Sequence, residues 1–525
     1  MPFKVARKRG ACREKTAFLG LVFRGQLVAA IPRQGVYSKG MASIAPPAPE
    51  SPPATSGSPV ETSPRLAKKR FLSAASAHVR DLGHRLFVRK ALGGYYVNRD
   101  AQKARFRDWE HARDAASLAK WSSVNRLDQL LPQFVANFEA AGGQVHWARD
   151  ANEAREVILR LVRAAKAKAI VKSKCMTSEE IHLNALLEAE GFGVVESDLG
   201  EFIQQLRGEP PYHFVFPCMH VRRDEISDLF KEHLGSEPTD SPEELTMIAR
   251  RYMRQLYVDA DVGITGANFL VAETGQISIT ENEGNARLTA ALPRVHIALS
   301  GIEKVVANLD DLAVLLPMLA TAGAGQPLTC YNTLYAGPRR AGEADGPDEM
   351  HLVMLDNSRT ALLADPEQRD ALHCIRCGAC LNVCPIFKNV GGFTYGTTYQ
   401  GPIGSVITPH LRGLADWNHL SGASSLCGAC TDACPVRIDI HHHLLHNRRN
   451  AARTAPSKLE KLGHKLFVQV ARRPWLFAGG GWMFRRTLGL VKRLRPPLMR
   501  QWLETRDLPA APPQSFRAAW KNRKT

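Results

Sequence analysis

The sequence lacks any run of eighteen or more apolar residues, the length that a helix needs to cross a bilayer. The apolar stretch AFLGLVF at 17–23 is short and is followed at once by Arg24, unlike a signal-peptide core. No Gly-x-Gly-x-x-Gly sequence follows a strand-like run, and no flavin signature is present. These absences predict that no segment spans a membrane, and they disfavour secretion and dinucleotide binding.

Cysteine is scarce outside one region. Of eleven cysteines, seven lie between 374 and 434. An odd number and this crowding disfavour a disulfide framework and favour a thiolate metal site in a reducing compartment, so we expect a cytoplasmic protein. The scattered cysteines are expected to be small buried side chains, with a supplementary metal ligand as the alternative: Cys12, Cys175, Cys218 and Cys330.

Positive charge is concentrated at the two ends of the chain. Residues 1–40 hold nine Lys and Arg against one acid, and residues 447–525 hold nineteen against three. In the second region, RRPWLFAGGGWMFRR at 472–486 places aromatic residues between arginines. This combination suits peripheral contact with a membrane surface, or packing on the rest of the chain. No nucleic-acid-binding motif accompanies the charge, so a nucleic-acid partner is not expected.

Changes in composition divide the chain into five predicted segments. Residues 1–65 form a basic and Pro/Ser-rich leader, predicted to be disordered, in which Met1 or Met41 is the start. Residues 66–150 have helical periodicity and 151–340 alternate strand-like and helical runs, which predicts an α/β domain with a mostly parallel sheet. An iron–sulfur domain at 360–446 and a basic C-terminal region at 447–525 follow.

Short apolar runs locate the strands of the α/β domain. Strands are predicted at 167–173, 192–197, 213–217 and 294–299, with helices at 177–190 and 223–233. A hairpin is predicted between FLVAE and QISIT, with its turn at Thr274-Gly275.

The motif CIRCGACLNVCP at 374–385 has the C-x2-C-x2-C-x3-C-P spacing of cubane iron–sulfur ligation. It recurs fifty residues later with Ser424 in the first position. In such pairs the fourth cysteine of each motif ligates the other cluster. We therefore predict two clusters, with these ligands: Cys374, Cys377, Cys380 and Cys434 for cluster one, and Cys384, Cys427 and Cys430 for cluster two.

Ser424 leaves the fourth position of cluster two without a thiolate. Cluster one is predicted to be [4Fe-4S], and cluster two is either [3Fe-4S] or [4Fe-4S] with another ligand. Structural zinc is the alternative for C-x2-C pairs, but seven cysteines divide badly into four-thiolate sites. His442 and His446, one helical turn apart, suggest a further metal site, although a solvated helix explains the histidines better.

Several motifs together resemble the lactate utilization protein B family over about 70–525. They occur in the expected order: GITGANFLVAETGQISITENEGNARL, LPRVHIALSGIEK, CIRCGACLNVCP, YGTTYQGPIGSVITP and SSLCGACTDACPV. The resemblance implies a LUD domain with the NagB/RpiA/CoA-transferase-like fold, then a helical bacterial-ferredoxin-like domain. Ser424 is a normal feature of the family, whereas residues 1–65 have no family counterpart and Cys175 stands where serine is expected.

The resemblance also implies a function. The family is similar to an iron–sulfur subunit that works with partner subunits to oxidise L-lactate to pyruvate, with a quinone or cytochrome as the expected acceptor. No residue is assigned a catalytic role. A LUD module that binds a small acid or a CoA-type ligand, with structural or redox-sensing clusters, is the alternative. A glycolate-oxidase-type subunit is disfavoured, because its second motif is expected to carry all four cysteines.

Polar residues at probable strand ends predict a ligand pocket in the LUD domain, since ligands of open α/β sheets bind at strand ends. Arg287 is the predicted carboxylate-binding residue. Ordinary turn chemistry is the alternative explanation for these residues. The predicted pocket residues are Thr265, Gly266, Asn268, Glu273, Thr274, Asn285 and Arg287.

Overall fold

A computed structural model describes residues 64–454, 458–494, 500, 503 and 506–523. The predicted leader therefore lies outside the described residues, apart from its last two positions. The helices are α1 (Pro64–Arg80), α2 (Leu82–Lys103), α3 (Trp109–Val124), α4 (Leu127–Ala140), α5 (Ala151–Ala164), α6 (Met176–Glu180), α7 (Leu183–Ala189), α8 (Leu199–Arg207), α9 (Arg223–Leu234), α10 (Pro242–Asp259), α11 (Asn285–Ala291), α12 (Leu309–Ala324), α13 (Arg359–Leu363), α14 (Ala379–Val383), α15 (Phe387–Val390), α16 (Gly401–Arg412), α17 (Leu414–Gly422), α18 (Ala429–Ala433), α19 (Ile440–Thr454), α20 (Lys458–Ala471), α21 (Pro474–Leu494) and α22 (Phe516–Lys521).

The strands form two sheets in the described part of the chain. They are β1 (Gln144–Ala148), β2 (Ala169–Lys172), β3 (Gly193–Glu196), β4 (Val262–Gly266), β5 (Phe269–Val271), β6 (Gln276–Glu281), β7 (Val295–Gly301), β8 (Val305–Val306), β9 (Tyr331–Tyr335) and β10 (Glu349–Leu355). A parallel six-stranded sheet has the order β1-β10-β7-β4-β2-β3. A smaller sheet has the order β8-β5-β6-β9.

The parallel sheet confirms the predicted α/β class. Strand β7 is buried at every residue, as expected where helices cover both faces of a parallel sheet. The sheet nevertheless extends beyond the predicted segment 151–340, because β1 precedes that segment and β10 follows it. Strand β10 was missed because the charged, glycine-containing stretch before it resembles a linker between domains.

The predicted hairpin is present. Strands β5 and β6 pair antiparallel, with Val271 opposite Gln276. Gly275 closes the turn at φ +68°, and a Cβ there would lie 2.4 Å from the backbone nitrogen of Phe138. Only glycine suits both the left-handed backbone and this close approach.

Two sequence predictions in this domain were wrong in detail. The run at 213–217 is an irregular buried segment, in which His213 bonds to Asn382 at 3.1 Å, so its apolar side chains pack against the cysteine-rich region instead of pairing as a strand. The helix predicted over 177–190 is two helices, α6 and α7, because His182 between them is left-handed at φ +52°.

Helices α1, α2 and α3 belong to the core of the cysteine-rich region. Phe71 of α1 contacts Tyr395 edge to face at 5.9 Å, and Val88 and Leu92 of α2 are fully buried in the same core as Cys380. The predicted helical region 66–150 is therefore not a preamble to the sheet alone, since α1 and α2 bury apolar side chains in the same core as Cys380.

Candidate iron–sulfur centre and adjoining cavity

The two cysteine motifs have the same backbone conformation. Arg376 and Gly378 of the first are left-handed at φ +61° and +77°, and Leu426 and Gly428 of the second match them at +56° and +82°. A short helix follows each loop, α14 and α18 respectively. The sequence repeat is thus a structural repeat, and left-handed residues within a loop turn its N–H groups toward one centre.

A small cavity lies at the predicted position of cluster one. It is lined by Cys374, Cys377 and Cys380 of the first motif and by Cys434 of the second. The remaining walls are mostly apolar, from Phe214, Ile375, Gly378, Ile403, Pro435, Val436, Ile438 and Ile440. Four thiols around one dry cavity suit a cubane cluster, and they are the four predicted from the spacing.

The remaining three cysteines lie close enough together for the thiols of Cys384 and Cys427 to shift the pKa of Cys430. Burial and then the neighbouring Cys384 thiol raise the pKa of Cys430 to about 12, and Cys427 adds to the effect. Cys427 itself is exposed, and Ser424 is half-buried. The Ser424 hydroxyl accepts a hydrogen bond from the Leu426 backbone N–H at 3.1 Å, so it folds back on its own loop.

The spacing of the thiols disfavours zinc. Tetrahedral zinc with Zn–S bonds near 2.3 Å brings thiolates within about 3.8 Å of one another. Across the described residues, the only three donor atoms within 4.8 Å of one another belong to Asp439, His441 and His442. The cysteines are therefore spaced more widely than zinc requires, as expected when each binds a different iron atom. The histidine group does not include His446, which the sequence suggested as a partner of His442.

Backbone N–H groups point at the sulfur atoms. Ile438 donates to Cys434 Sγ at 3.3 Å and Phe387 donates to Cys384 Sγ at 3.5 Å. Arg113 of α3 donates through Nε and Nη2 to the carbonyl oxygen of Cys434 at 3.0 and 2.9 Å. Hydrogen bonds to the sulfur atoms hold thiolate ligands in place and raise the reduction potential of a cluster.

A buried ionic network ties the loop of cluster one to the parallel sheet. Arg359 donates to both oxygens of Glu180 at 2.9 and 2.8 Å and to Glu303 Oε2 at 2.6 Å. Arg376 donates to Glu303 Oε1 at 3.3 Å and lies 4.6 Å from the ring centre of Tyr399. Although burial opposes ionisation, Arg359 and Arg376 lower the pKa of Glu303 to about 2.

A cavity of about 330 Å³ adjoins this loop, at the carboxyl ends of β2 and β4. Of the predicted pocket residues, it is lined by Gly266, Asn268 and Asn285. Cys377, a predicted ligand of cluster one, lines it as well. The cavity therefore reaches from the strand ends of the sheet to the cluster-one loop, and its volume is in the range of small-molecule sites.

Four predicted pocket residues do not line this cavity. Thr265 is fully buried and pairs with His296 at 2.7 Å, and Thr274 lies in the turn of the hairpin. Glu273 accepts a hydrogen bond from the backbone N–H of Leu309 at 3.2 Å, at the start of α12.

Arg287, the predicted carboxylate-binding residue, is exposed on the far side of α11. Its guanidinium lies 4.7 Å from the ring centre of Tyr331 and donates to Thr333 at 3.2 Å. Because a helix turns its residues by 100° each, Arg287 faces away from the cavity that Asn285 lines. Arg287 therefore does not line this cavity, and its role as a carboxylate-binding residue stays a prediction.

Three cations line the cavity: Lys174, Lys304 and Arg376. Lys174 donates to the carbonyl oxygen of Val215 at 2.5 Å. Burial lowers the pKa of Lys304 to about 8. Lys304 follows β7 by three residues, so its place after a buried parallel strand was the available signal.

A second cavity, between α6–α8 and the segment before α16, is lined by Glu179, Glu196 and Glu201. Lys172, fully buried, pairs with Glu196 at 2.8 Å and Glu179 at 3.3 Å. Both oxygens of Glu201 are buried without a hydrogen-bond partner. Burial and then the neighbouring Glu196 raise the pKa of Glu201 well above its usual range.

Comparison with known proteins matches three family models along the chain. The LUD domain matches residues 131–355, the 4Fe-4S dicluster domain matches 370–438, and the C-terminal domain of lactate utilisation protein B matches 441–525. Lactate utilization protein B of Shouchella clausii is 45% identical over 79% of this chain and 89% of its own length. That of Oceanobacillus iheyensis is 43% identical over 83% of this chain and 92% of its own.

The chain belongs to the lactate utilization protein B family. Its six-stranded sheet is the core of a LUD domain, and the helical region that follows is a 4Fe-4S dicluster domain, as predicted. Iron–sulfur clusters are accordingly the cofactors of this family member. A DUF162 family protein from Deinococcus radiodurans is 15% identical with a TM-score of 0.25, and covers 44% of this chain and 98% of that one.

The C-terminal helices of this family member carry exposed apolar side chains. Trp475, Phe477, Trp482 and Phe484 of α21 are each more than half exposed. Arg486 lies 4.2 Å from the ring centre of Trp482. None of the described helices is long and apolar enough to cross a membrane.

Proposed function

We propose that this protein is the iron–sulfur electron-transfer subunit of a system that oxidises L-lactate to pyruvate. Its relatives are named for lactate utilization, and the dicluster domain supports iron–sulfur cofactors. The observation that carries the proposal is the interleaving of two matching cysteine loops, with Cys434 of the second loop at the cavity of the first. Iron–sulfur clusters supply one-electron storage and transfer.

The proposed ligand sets are those of the sequence analysis. Cys374, Cys377, Cys380 and Cys434 hold a [4Fe-4S] cluster. Three thiolates hold cluster two: Cys384, Cys427 and Cys430. Ser424 leaves that cluster as [3Fe-4S], or as [4Fe-4S] with a non-cysteine ligand. Burial and neighbouring thiols raise the pKa of Cys380, and Cys430 is among those neighbours, which supports placing the two sites close enough for electrons to pass between them.

Paired cysteine variants test the exchanged ligands. Cys434→Ser should remove the EPR signal of cluster one, although Cys434 belongs to the second motif, and Cys384→Ser should perturb cluster two. Loss of the opposite signal in each variant would contradict the proposed ligand exchange. In the protein purified anaerobically with its partners, L-lactate should reduce at least one cluster. Clusters that stay oxidised would contradict the lactate proposal.

The proposed partners are the other subunits of a lactate-oxidising complex and a quinone or cytochrome acceptor. Exposed aromatic residues beside arginines in α21 support peripheral contact with an anionic membrane surface. Co-sedimentation with anionic vesicles should fall with added salt and in Trp475→Ser and Trp482→Ser. Binding that is absent, or insensitive to salt, would refute the membrane contact.

The cavity beside Cys377 favours a second candidate function, in which the LUD domain binds a small acid and the clusters are structural or redox-sensing. This alternative would be favoured if the protein with its full iron content binds the acid, while lactate never reduces its clusters in the assembled system.

A further inference from the structure

The cavity beside the cluster-one loop is lined by cations and also by the carboxylates of Asp198, Glu281 and Glu283, but within the described residues Lys304 forms no ion pair with any of them. The side chain of Lys304 lines it, Lys304 is only 8% exposed, and its ammonium donates no hydrogen bond within the described residues. Glu303, the adjacent carboxylate, is directed instead to Arg359 and Arg376. A buried ammonium without a partner is costly, so this site is suited to an anion from outside the chain.

Arg376 adds a second cation to the lining of the same cavity. Its Nη2 donates to Glu303 at 3.3 Å, whereas its Nη1 is buried without a hydrogen-bond partner. Lysine and arginine together bind a carboxylate through charge-assisted hydrogen bonds, which are the stronger class.

Neutral polar groups also line the cavity. Asn285 is 7% exposed and its side-chain amide makes no hydrogen bond within the described residues. Asn268 accepts a hydrogen bond from the backbone N–H of Thr280 at 2.9 Å, which leaves its amide N–H₂ as a donor. These amides suit the hydroxyl or carbonyl oxygen of a small organic acid.

We infer that the cavity binds a small carboxylate of the 2-hydroxy or 2-oxo acid class. The carboxylate binds to Lys304 and Arg376, and the hydroxyl or carbonyl oxygen on carbon 2 points toward Asn285. The choice of acid rests on the proposed function in lactate oxidation. Because Cys377 lines the same cavity, the bound anion lies beside cluster one and neutralises part of the positive charge around it. Negative charge near a cluster disfavours its reduction, so binding lowers the reduction potential.

A different role for Lys304 makes a distinct prediction. If Lys304 only balances the negative charge of the cluster, replacing it shifts the potential but leaves the affinity for small acids unchanged. The two roles therefore separate in a binding measurement that does not depend on turnover.

The test uses the full chain, purified anaerobically with its clusters and without partners. Calorimetric titration with L-lactate and pyruvate should show binding, which Lys304→Met weakens roughly 10- to 100-fold, as expected for the loss of one charged hydrogen bond. Lys168→Met is the matched control, because exposed Lys168 precedes β2 at the opposite edge of the sheet, and should bind like wild type. The EPR signal of reduced cluster one should shift on adding either acid to wild type, and not in Lys304→Met.

Asn285→Ala provides a second variant that is distant in sequence from every cysteine ligand. It should weaken acid binding at unchanged iron content, even if Lys304→Met does not fold with its clusters. Unchanged affinity in either variant, with iron content and melting temperature intact, would overturn the inference. Inorganic phosphate that binds as tightly as the two acids would also overturn it, since the site would then be a general anion site.

Failure of the proposed function gives a different result. Clusters that lactate never reduces in the assembled system would refute lactate oxidation, while the titrations on the isolated chain would still decide whether the cavity binds these acids.

Discussion

Arg359→Met should destabilise the protein by about 3 kcal/mol. Removing one partner of a buried ion pair costs about 3–5 kcal/mol, because the other charge stays buried. Arg359 is 2% exposed and serves two buried carboxylates. In the variant, Glu180 would still accept the hydrogen bond from the Tyr399 hydroxyl, and Glu303 would still accept the one from Arg376. We therefore expect the lower end of that range.

Urea denaturation of the anaerobic protein, followed by far-ultraviolet circular dichroism and by cluster absorbance, measures this loss. Both transitions should move to lower urea, because the network joins the sheet to the cluster-one loop. Arg163→Met is the matched control: Arg163 pairs with Glu190 on the surface, and an exposed pair contributes about 1 kcal/mol or less.

A double variant separates charge from packing. Adding Glu180→Gln to Arg359→Met removes one of the stranded carboxylates, so it should recover about 1 kcal/mol of the loss. A loss in Arg359→Met no larger than in Arg163→Met would refute the argument. So would a double variant whose loss equals the sum of the two single losses.

Three further predictions concern single residues. Ser424→Cys should change the EPR signal of cluster two and leave that of cluster one unchanged, because Ser424 occupies the position that Cys374 has in the first motif; an unchanged spectrum would contradict this. Gly378→Ala should lower the iron content, since its φ is +77° and a Cβ would lie 2.8 Å from Val215; full occupancy would argue against the loop requiring glycine. Glu201→Gln should gain stability relative to wild type as pH rises above about 4.5, because the raised folded-state pKa of Glu201 stabilises wild type fully only below its unfolded-state value. The free energies of unfolding from urea denaturation should diverge by up to about 1.4 kcal/mol per pH unit, and parallel pH profiles would refute a raised pKa of Glu201.

The repeat of the two cysteine loops could be predicted from the sequence because its determinants are local. The spacing of Cys374, Cys377 and Cys380 fixes one loop, and the repeat at Cys427 fixes a second with the same left-handed residues. The parallel sheet was also predictable, since buried strands such as β7 are nearly continuous apolar runs.

The adjoining cavity was less predictable because its residues come from distant elements. Lys304 follows one strand and Arg376 lies inside a cysteine loop, and their spacing in the sequence does not show that they line the same cavity. Arg287 lies apart from this cavity because each residue along a helix turns the side chain by 100°, and sequence spacing shows which residues share a face only when the buried face is known. The run at 213–217 has strand-like apolarity, but its burial against the cysteine-rich region depends on contacts distant in sequence.

The packing of α1 onto the cysteine-rich core has a consequence for synthesis of the chain. Phe71 and Leu420 share that core, so at about 5–20 residues per second the apolar face of α1 waits roughly 20–70 s for its partner to be made. Cluster one has a shorter delay of roughly 3–11 s, because Cys434 follows Cys380 by 54 residues. During synthesis the chain therefore has an incomplete metal site and an uncovered apolar helix at the same time. Chaperones and the cluster-loading machinery encounter the same intermediate.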